Sequence, residues 1–193
     1  MGSVMIVGVG GQGTLLASRI LGAVYTGAGF DVKVSEVHGM SQRGGSVVTY
    51  VRYGDRVASP IIEKGGADII LAFEKLEALR YFEYLKKGGK IIVNTQETDP
   101  MPVITGAAVY PENILEKLSA AGVAVTAVDA LSLAREAGNQ KAVNVVLIGV
   151  LAAASDIPEA DWIAAVKSTV PEKLQEINLK AFALGYSHKN KEE

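Results

Sequence analysis

The chain contains no cysteine and only two histidines, His38 and His188, among its 193 residues. Without cysteine it cannot form a disulfide, use a cysteine nucleophile or hold a cysteine-ligated iron–sulfur cluster. Two histidines are also too few for a histidine-built metal site, and we predict that the chain binds no metal by itself. Any redox chemistry must therefore depend on an organic cofactor or on another polypeptide.

The sequence also lacks a charge excess and a long apolar run. Its net charge of −2, from 19 basic and 21 acidic residues, offers no basic surface to nucleic acid or an anionic membrane. The longest apolar tract, 143–154, is interrupted by Asn144 and Gly149 and falls short of the about 18 apolar residues that indicate a membrane span. Because Met1 leads into a strand-like segment rather than a signal peptide, we expect a cytoplasmic protein that binds neither nucleic acid nor membrane.

A glycine-rich turn joins a predicted strand to a predicted helix near the start of the chain. The β-branched apolar run 4–7 is typical of a buried strand, and residues 14–21 have helical spacing. Such a turn lets the backbone approach a ligand closely, and the N–H groups that begin the helix attract an anion. The candidate binding residues here, which include the G-x-G-x-x-G spacing, are Gly8, Gly10, Gly11, Gln12 and Gly13.

Three interpretations of this turn remain open. A dinucleotide site requires an acidic residue about 20 residues further on, at the end of the second strand. Glu36, in a predicted strand over 31–37, occupies roughly that place. The second interpretation is a phosphate or other anion site without a dinucleotide. The third is that the glycines only serve a tight strand-to-helix turn.

A second glycine-rich segment, 38–45, follows that strand. Three glycines in eight residues predict a loop where a doubly wound domain would begin a helix. Its polar groups could clamp an anion, with Arg43 making bidentate contacts, or Arg43 forms an ordinary ion pair on a solvated loop. If the first two strands are adjacent and parallel, both glycine-rich segments leave the same sheet edge, where ligands bind in open α/β sheets. The candidate residues are Glu36, His38, Ser41, Gln42, Arg43 and Gly44.

The rest of the chain alternates predicted strands and helices. Strands are predicted over 46–53, 68–73, 90–94 and 123–128, with a hairpin turn at 54–55 that returns through 56–59. Helices are predicted from residue 76 to the glycines at 88–89 and over 111–121, 130–137, 140–155, 159–169 and 171–184, with 95–111 largely loop. We therefore predict an α/β, three-layer Rossmann-like sandwich, with a mostly parallel sheet, a hairpin insertion and C-terminal helices. It forms a single domain over 1–186, followed by a polar tail over 187–193.

Two further polar residues each have two interpretations. Asn144 lies in an apolar helix and needs a partner if buried, so it is either a core hydrogen-bonding residue or a ligand group. Glu74 directly follows a predicted strand, so it either caps the next helix or meets a ligand.

Three segments together resemble a known family. Residues 7–14 (VGVGGQGT), 35–46 (SEVHGMSQRGGS) and 143–149 (VNVVLIG) resemble the gamma-type domain of 2-oxoacid:ferredoxin oxidoreductases. The likeness extends over about residues 4 to 185. Within that family, the second segment is most similar to the small (beta) subunits of indolepyruvate ferredoxin oxidoreductases.

The resemblance implies a small subunit that is inactive without a large one. Oxidative decarboxylation of an aryl 2-oxoacid would use thiamine diphosphate, Mg²⁺ and iron–sulfur clusters on the large subunit. Electrons would pass to ferredoxin through the complex, and the acyl group would pass to coenzyme A as co-substrate. This chain would hold no cofactor alone, and its two glycine-rich segments would face the active-site cleft or the acyl acceptor. Separately from the resemblance, we expect the isolated chain to form a homodimer. The alternatives are a standalone NAD- or flavin-dependent oxidoreductase and a non-catalytic assembly module whose glycine-rich segments dock a partner.

Overall fold

The computed structural model describes residues 1–38 and 45–188, with the side chain of His38 left out. One six-stranded sheet carries helices on both faces. The strands are β1 (Gly2–Val9), β2 (Asp31–His38), β3 (Ser46–Gly54), β4 (Ala67–Ala72), β5 (Leu85–Asn94) and β6 (Ala124–Val128). The helices are α1 (Thr14–Gly27), α2 (Lys75–Tyr81), α3 (Met101–Ile104), α4 (Ile114–Ala120), α5 (Ala130–Ala137), α6 (Val143–Ala153), α7 (Glu159–Thr169) and α8 (Glu172–Tyr186). Short 3-10 turns cover Phe82–Tyr84 and Gln140–Ala142.

The strands lie in the order β2-β3-β1-β4-β5-β6. β3 pairs antiparallel with both β1 and β2, whereas β1, β4, β5 and β6 pair in parallel. The predicted α/β class, with a mostly parallel sheet, is confirmed. The condition that the first two strands are adjacent is not met, because β3 lies between them. Both still run in the same direction, so Val9 and His38, their last residues, reach one edge of the sheet.

The predicted hairpin partner and one helix end are also wrong. Residues 56–59 form no strand, and the hairpin is made by β2 and β3 instead. The helix predicted to end at residues 88–89 stops at Tyr81, because the chain already pairs with β4 from Leu85 onward through a register shift. A Cβ added at Gly89 would lie 2.8 Å from Asp68 O. This glycine therefore serves a close approach between strands rather than a helix end.

Two hydrophobic clusters cover the two faces of the sheet. Val4 and Ile6 of β1 face the cluster under α1 and α5 to α8, and the alternate residues Met5 and Val7 face the cluster under α2 and α4. All four side chains are fully buried. A strand with both faces buried reads as a continuous apolar run, as β1 does. The structure thus has three layers, and the limits predicted for the domain and its tail stay predictions.

Helix α6 is buried along nearly its whole length, as its apolar pattern predicts. It crosses α8 at Gly149 and Gly185, where an added Cβ would lie 2.2 Å from Phe182 O and 2.0 Å from Val146 O respectively. Only glycine permits helix backbones to approach this closely. Gly185 therefore lies inside α8 and permits this crossing. The predicted helix, which ended at residue 184, would have placed it beyond the helix end. In the described parts of the chain, no helix is long and apolar enough to traverse a bilayer.

Candidate functional site

The glycine-rich turn connects β1 to α1 at the carboxyl edge of the sheet. Gly11 and Gly13 adopt φ values of +92° and +86°, a left-handed conformation that L side chains disfavour. The N–H of Gly10 donates to the carbonyl oxygen of Gly45 at 3.1 Å. Gly45 immediately precedes β3, so the turn is joined directly to the C-terminal end of the second glycine-rich segment.

The Gln12 side chain folds back onto the turn. Its Oε1 accepts a hydrogen bond from the Val9 N–H at 2.7 Å, and its Nε2 lies 3.5 Å from Phe73 O. A Cβ added at Gly8 would lie 2.7 Å from Gln12 Oε1 and 3.0 Å from Phe73 Cβ. Gly8 and Gln12 therefore give the turn its shape, and the predicted ligand contact of the Gln12 amide stays a prediction.

Asn144, at the start of α6, closes the turn from the other side. Its Nδ2 donates to Gly13 O at 3.2 Å, and its Oδ1 accepts from the Val145 N–H at 2.9 Å. A Cβ added at Gly13 would lie 2.5 Å from Asn144 Nδ2. Of the two interpretations of Asn144, the structural hydrogen bond is observed, and its partner is the glycine-rich turn itself.

A cleft of about 550 Å³ opens beside the turn, within the roughly 300–1,000 Å³ typical of ligand sites. The carboxyl edge places it where open α/β sheets bind ligands. Arg135, in the last turn of α5, and Lys141, just before α6, bring two positive charges to it. The lining residues are Gly11, Gln12, Gly13, Gln96, Leu131, Arg135, Gln140, Lys141 and Val143.

The electrostatics of the cleft favour an anion. Within the described parts of the chain, neither Arg135 nor Lys141 forms a side-chain hydrogen bond or an ion pair. The first turn of α1 has no acidic residue, and the residue before it, Gly13, has no side chain to cap the N–H groups of that turn. Free N–H groups at a helix start attract negative charge. Sequence reasoning missed Arg135 and Lys141, although both lie close before the 143–149 motif.

The predicted partner of the turn, Glu36, lies elsewhere. Its Oε2 accepts a hydrogen bond from the Thr49 hydroxyl at 2.9 Å, within the β2–β3 pair. Because β3 separates β2 from β1, and neighbouring strands are spaced about 4.8 Å apart, the acid lies two strands from the turn and does not line the cleft. The backbone of His38 ends β2 opposite Val47. The predicted candidates Ser41, Gln42, Arg43 and Gly44 lie outside the described residues.

Two carboxylates at the start of α2 are buried at the same edge, Glu74 just before the helix and Glu77 within it. Glu74 caps the helix, since its Oε2 accepts from the Glu77 N–H at 3.0 Å, which is one of its two predicted roles. Its Oε1 accepts from the Thr98 N–H at 3.2 Å and from the Tyr110 hydroxyl. Burial, helped by that bond, raises the pKa of Tyr110. Within the described residues, no cluster of three acidic, histidine or cysteine side chains has a metal-binding arrangement.

Glu77 was not singled out by sequence reasoning. Its Oε2 accepts from the Ser46 hydroxyl at 2.5 Å, and its Oε1 accepts from Arg80 at 2.9 Å. Burial raises the pKa of Glu77, although the hydrogen bond from Ser46 and the charge of Arg80 act against that rise. The spacing of Glu74 and Glu77, one helical turn apart, is the only sequence signal that pairs them.

Comparison with known proteins decides the family. The family described as "Pyruvate ferredoxin/flavodoxin oxidoreductase" matches residues 3–188. The chain belongs to this family.

Its relatives include oxidoreductase subunits of similar length. "Indolepyruvate oxidoreductase subunit IorB" from Thermococcus kodakarensis is 45% identical over 190 residues, which cover 95% of this chain and 93% of that protein. The gamma subunit of a keto/oxoacid ferredoxin oxidoreductase from Geobacter sulfurreducens is 25% identical, with a TM-score of 0.72 over 97% of both chains. The 2-oxoglutarate:ferredoxin oxidoreductase from Magnetococcus marinus, solved with coenzyme A bound, shares the fold. It has a TM-score of 0.74 at 19% identity, over 96% of this chain and 30% of its own.

These findings confirm the family and the class of function predicted from the three motifs. The pyruvate ferredoxin/flavodoxin oxidoreductase family member described here is a subunit of a 2-oxoacid:ferredoxin oxidoreductase. Since its relatives are subunits of larger enzymes, it works with at least one further chain. The site residues, by contrast, stay predictions that rest on the geometry of the cleft.

Proposed function

We propose that this chain is the small subunit of an indolepyruvate, or other aryl 2-oxoacid, ferredoxin oxidoreductase. Support comes from the relative of that name, which matches nearly the whole chain at 45% identity, and from the wording of the 35–46 motif. In this proposal, a large subunit carries thiamine diphosphate, Mg²⁺ and the iron–sulfur clusters. The absence of cysteine agrees with that division, because thiolate ligands must come from the partner.

The remaining parts of the proposal concern the cellular setting. The complex is cytoplasmic and passes electrons to ferredoxin through its large subunit. The small chain has no turnover by itself and forms a homodimer when it is isolated. Visible iron–sulfur absorbance or substrate turnover by the purified chain alone would contradict this division of labour.

The cleft beside the glycine-rich turn binds the phosphate-bearing part of coenzyme A. The observation that carries this assignment is the pairing of an uncapped helix start with two cations, Arg135 and Lys141, that form no close ion pair within the described chain. Charge-assisted hydrogen bonds to phosphate are about twice as strong as neutral ones, and arginine can make two in parallel. The acyl acceptor is thus oriented by its phosphates while its thiol extends toward the partner subunit.

Steady-state kinetics of the reconstituted complex test this assignment. Replacing Arg135 or Lys141 by alanine removes a charge-assisted contact, and we expect the KM for coenzyme A to rise about tenfold for each. The matched control is Lys173→Ala, an exposed lysine at the start of α8. Because α8 runs antiparallel to α6, Lys173 lies far from the cleft, and its replacement should leave the KM unchanged.

Pantetheine, which carries the same thiol without the phosphates, sharpens the test. If the two cations grip phosphate, Arg135→Ala and Lys141→Ala should leave kinetics with pantetheine unaltered. An equal loss with both acceptors would refute the phosphate assignment. Loss of complex formation in place of a KM effect would favour the assembly-module alternative, in which the glycine-rich segments only dock a partner.

A standalone NAD-dependent enzyme finds no support in the geometry. Dinucleotide folds place the ribose-binding acid on the strand beside the glycine-rich turn. Here β3 occupies that place, and Glu36 bonds Thr49 on its far side. Equilibrium titration of the chain with nicotinamide and flavin nucleotides should accordingly give no saturable binding.

A further inference from the structure

Two carboxylates at the start of α2 are buried at the carboxyl edge, where Glu74, just before the helix, is 1% exposed and Glu77, within it, is 3% exposed. A buried carboxylate costs several kcal/mol unless hydrogen bonds or an ion pair compensate. The position of Glu74 is explained, because it caps the helix that follows it. Glu77 lies inside that helix and caps nothing, so its burial has another reason.

Glu77 holds the first residue of β3. The Ser46 hydroxyl donates to Glu77 Oε2 at 2.5 Å and lies 3.0 Å from the Tyr81 hydroxyl. Both bonding groups come from α2, one helical turn apart, so the serine is held against one face of this helix. Arg80 donates a hydrogen bond to the other carboxylate oxygen at 2.9 Å, which fixes the orientation of the carboxylate.

Ser46 is connected directly to the glycine-rich turn. In the sheet it lies opposite Val9, the last residue of β1. Its neighbour Gly45 accepts the hydrogen bond from the Gly10 N–H at 3.1 Å. A continuous path therefore runs from the Glu77 carboxylate through Ser46 and Gly45 to the backbone of Gly10. Gly10 in turn precedes Gly11, the first turn residue that lines the cleft.

We infer that Glu77 and Ser46 are positioning residues for the glycine-rich turn. The carboxylate fixes the Ser46 hydroxyl, and the start of β3 then holds Gly10 so that the cleft keeps its shape. The effect on coenzyme A rests on the proposed function, whereas the effect on Gly10 does not.

Amide hydrogen exchange of the full chain, followed by NMR, tests the path without any ligand. Ser46→Ala removes the donor, and we expect exchange of the Gly10 N–H to accelerate about tenfold. The Ala17 N–H, which bonds Gly13 O within α1, should exchange as before. Ser46→Thr keeps the hydroxyl and suits a strand, so it should restore protection of Gly10. Unchanged Gly10 exchange in Ser46→Ala, or an equal acceleration at Ala17, would overturn the inference.

The same Glu→Gln substitution at two positions, Glu77 and Glu83, gives a matched control. Glu77→Gln keeps an acceptor for Ser46 but removes the charge, so Gly10 exchange should accelerate less than in Ser46→Ala. Glu83→Gln makes the same change at an exposed surface carboxylate that pairs with Lys64, and it should leave Gly10 unaffected. An equal response of Gly10 to Glu77→Gln and Glu83→Gln would also overturn the inference.

Kinetics of the reconstituted complex separate this inference from the proposed function. Ser46→Ala should raise the KM for coenzyme A while kcat stays within twofold of the wild-type value, and Ser46→Thr should restore the KM. If Gly10 exchange accelerates but the KM is unchanged, the positioning role stands and the coenzyme A site fails. If neither Gly10 exchange nor the KM responds while Arg135→Ala still raises the KM, the positioning role fails and the site stands.

Discussion

The crossing of α6 and α8 should be the point at which the smallest addition to the chain does the greatest damage. At Gly185 an added Cβ would lie 2.0 Å from Val146 O and 2.9 Å from its carbonyl carbon. Both neighbours are backbone atoms, so no side-chain rotation can relieve the clash. Restoring an ordinary contact of about 3.5 Å would require the helices to separate by more than about 1 Å.

The expected cost of Gly185→Ala follows from two opposing effects. Overpacking a closely packed core costs about 1–3 kcal/mol or more, and α6 is buried along nearly its whole length. Alanine returns up to about 1 kcal/mol of helix propensity. We expect a net loss of about 2 kcal/mol, which lowers Tm by about 4–8 °C in a chain of this size.

Thermal and urea unfolding of the purified chain measure this loss, and Gly22→Ala provides the control. Gly22 lies within α1 with nothing within 4 Å of an added Cβ. The same substitution there should therefore raise Tm by a few degrees. Gly149→Ala acts on the same crossing, so the double variant with Gly185→Ala should lose less than the sum of the two. A Tm for Gly185→Ala at or above that of the wild type would refute the close approach.

Further predictions concern the glycine-rich turn, the carboxylate of Asp68 in β4 and the second glycine-rich segment. Gly13→Ala should cost more stability and raise the KM for coenzyme A more than Gly11→Ala, because both have positive φ but only Gly13 faces Asn144; equal losses in both would remove the Asn144 contact from the explanation. Partial burial acts to raise the pKa of Asp68, but Lys86 and the Ser3 donors outweigh it and lower this pKa below its ordinary 3.8. The charged Asp68 therefore stabilises the folded chain above pH 3.8, and this contribution is lost on acidification below that pH. The difference in stability between wild type and Asp68→Asn should thus shrink in unfolding curves below about pH 4, and a constant difference would contradict this sign. Arg43→Ala should raise the KM for the acyl acceptor or the 2-oxoacid without preventing assembly, and unchanged kinetics would exclude Arg43 from the site.

Local signals in the sequence predict local structure well. The helix predicted over 130–137 is observed as α5, where Asp129 accepts a capping hydrogen bond from the Ser132 N–H at 3.0 Å and Gly138 follows the helix end at φ +109°. Each depends on residues within one turn of the chain, and its chemistry has few alternatives. The strand, glycine-rich turn and helix at the start of the chain were predictable for the same reason. Gly89 and Gly185 were wrongly interpreted as helix ends. Glycine is favoured both at a helix end and where two segments pack closely, so the sequence alone does not distinguish the two.

The cleft could be predicted only in part. Its glycines lie in one short segment, whereas Arg135 and Lys141 follow them by more than a hundred residues. The two cations approach the glycines only because α6 packs beside the turn. No periodicity or spacing rule links the end of α5 to the end of β1. For Asn144, the sequence indicated either a core hydrogen bond or a ligand contact, since a buried amide must find a partner, and the hydrogen bond is observed. Its partner could be identified only from the packing.

The insertion of β3 between β2 and β1 changes the surroundings of the dinucleotide-like glycine spacing. With β2 beside β1, an acid at the end of β2 would face the turn and select a ribose hydroxyl. With β3 between them, Gly45 bonds Gly10 and occupies that flank, and Glu36 bonds Thr49 instead. The open flank of the turn is then the one beside α5 and α6, which present cations rather than an acid. In the proposed function, an otherwise similar strand-turn-helix unit binds phosphate and not ribose because one antiparallel strand changes which elements face it.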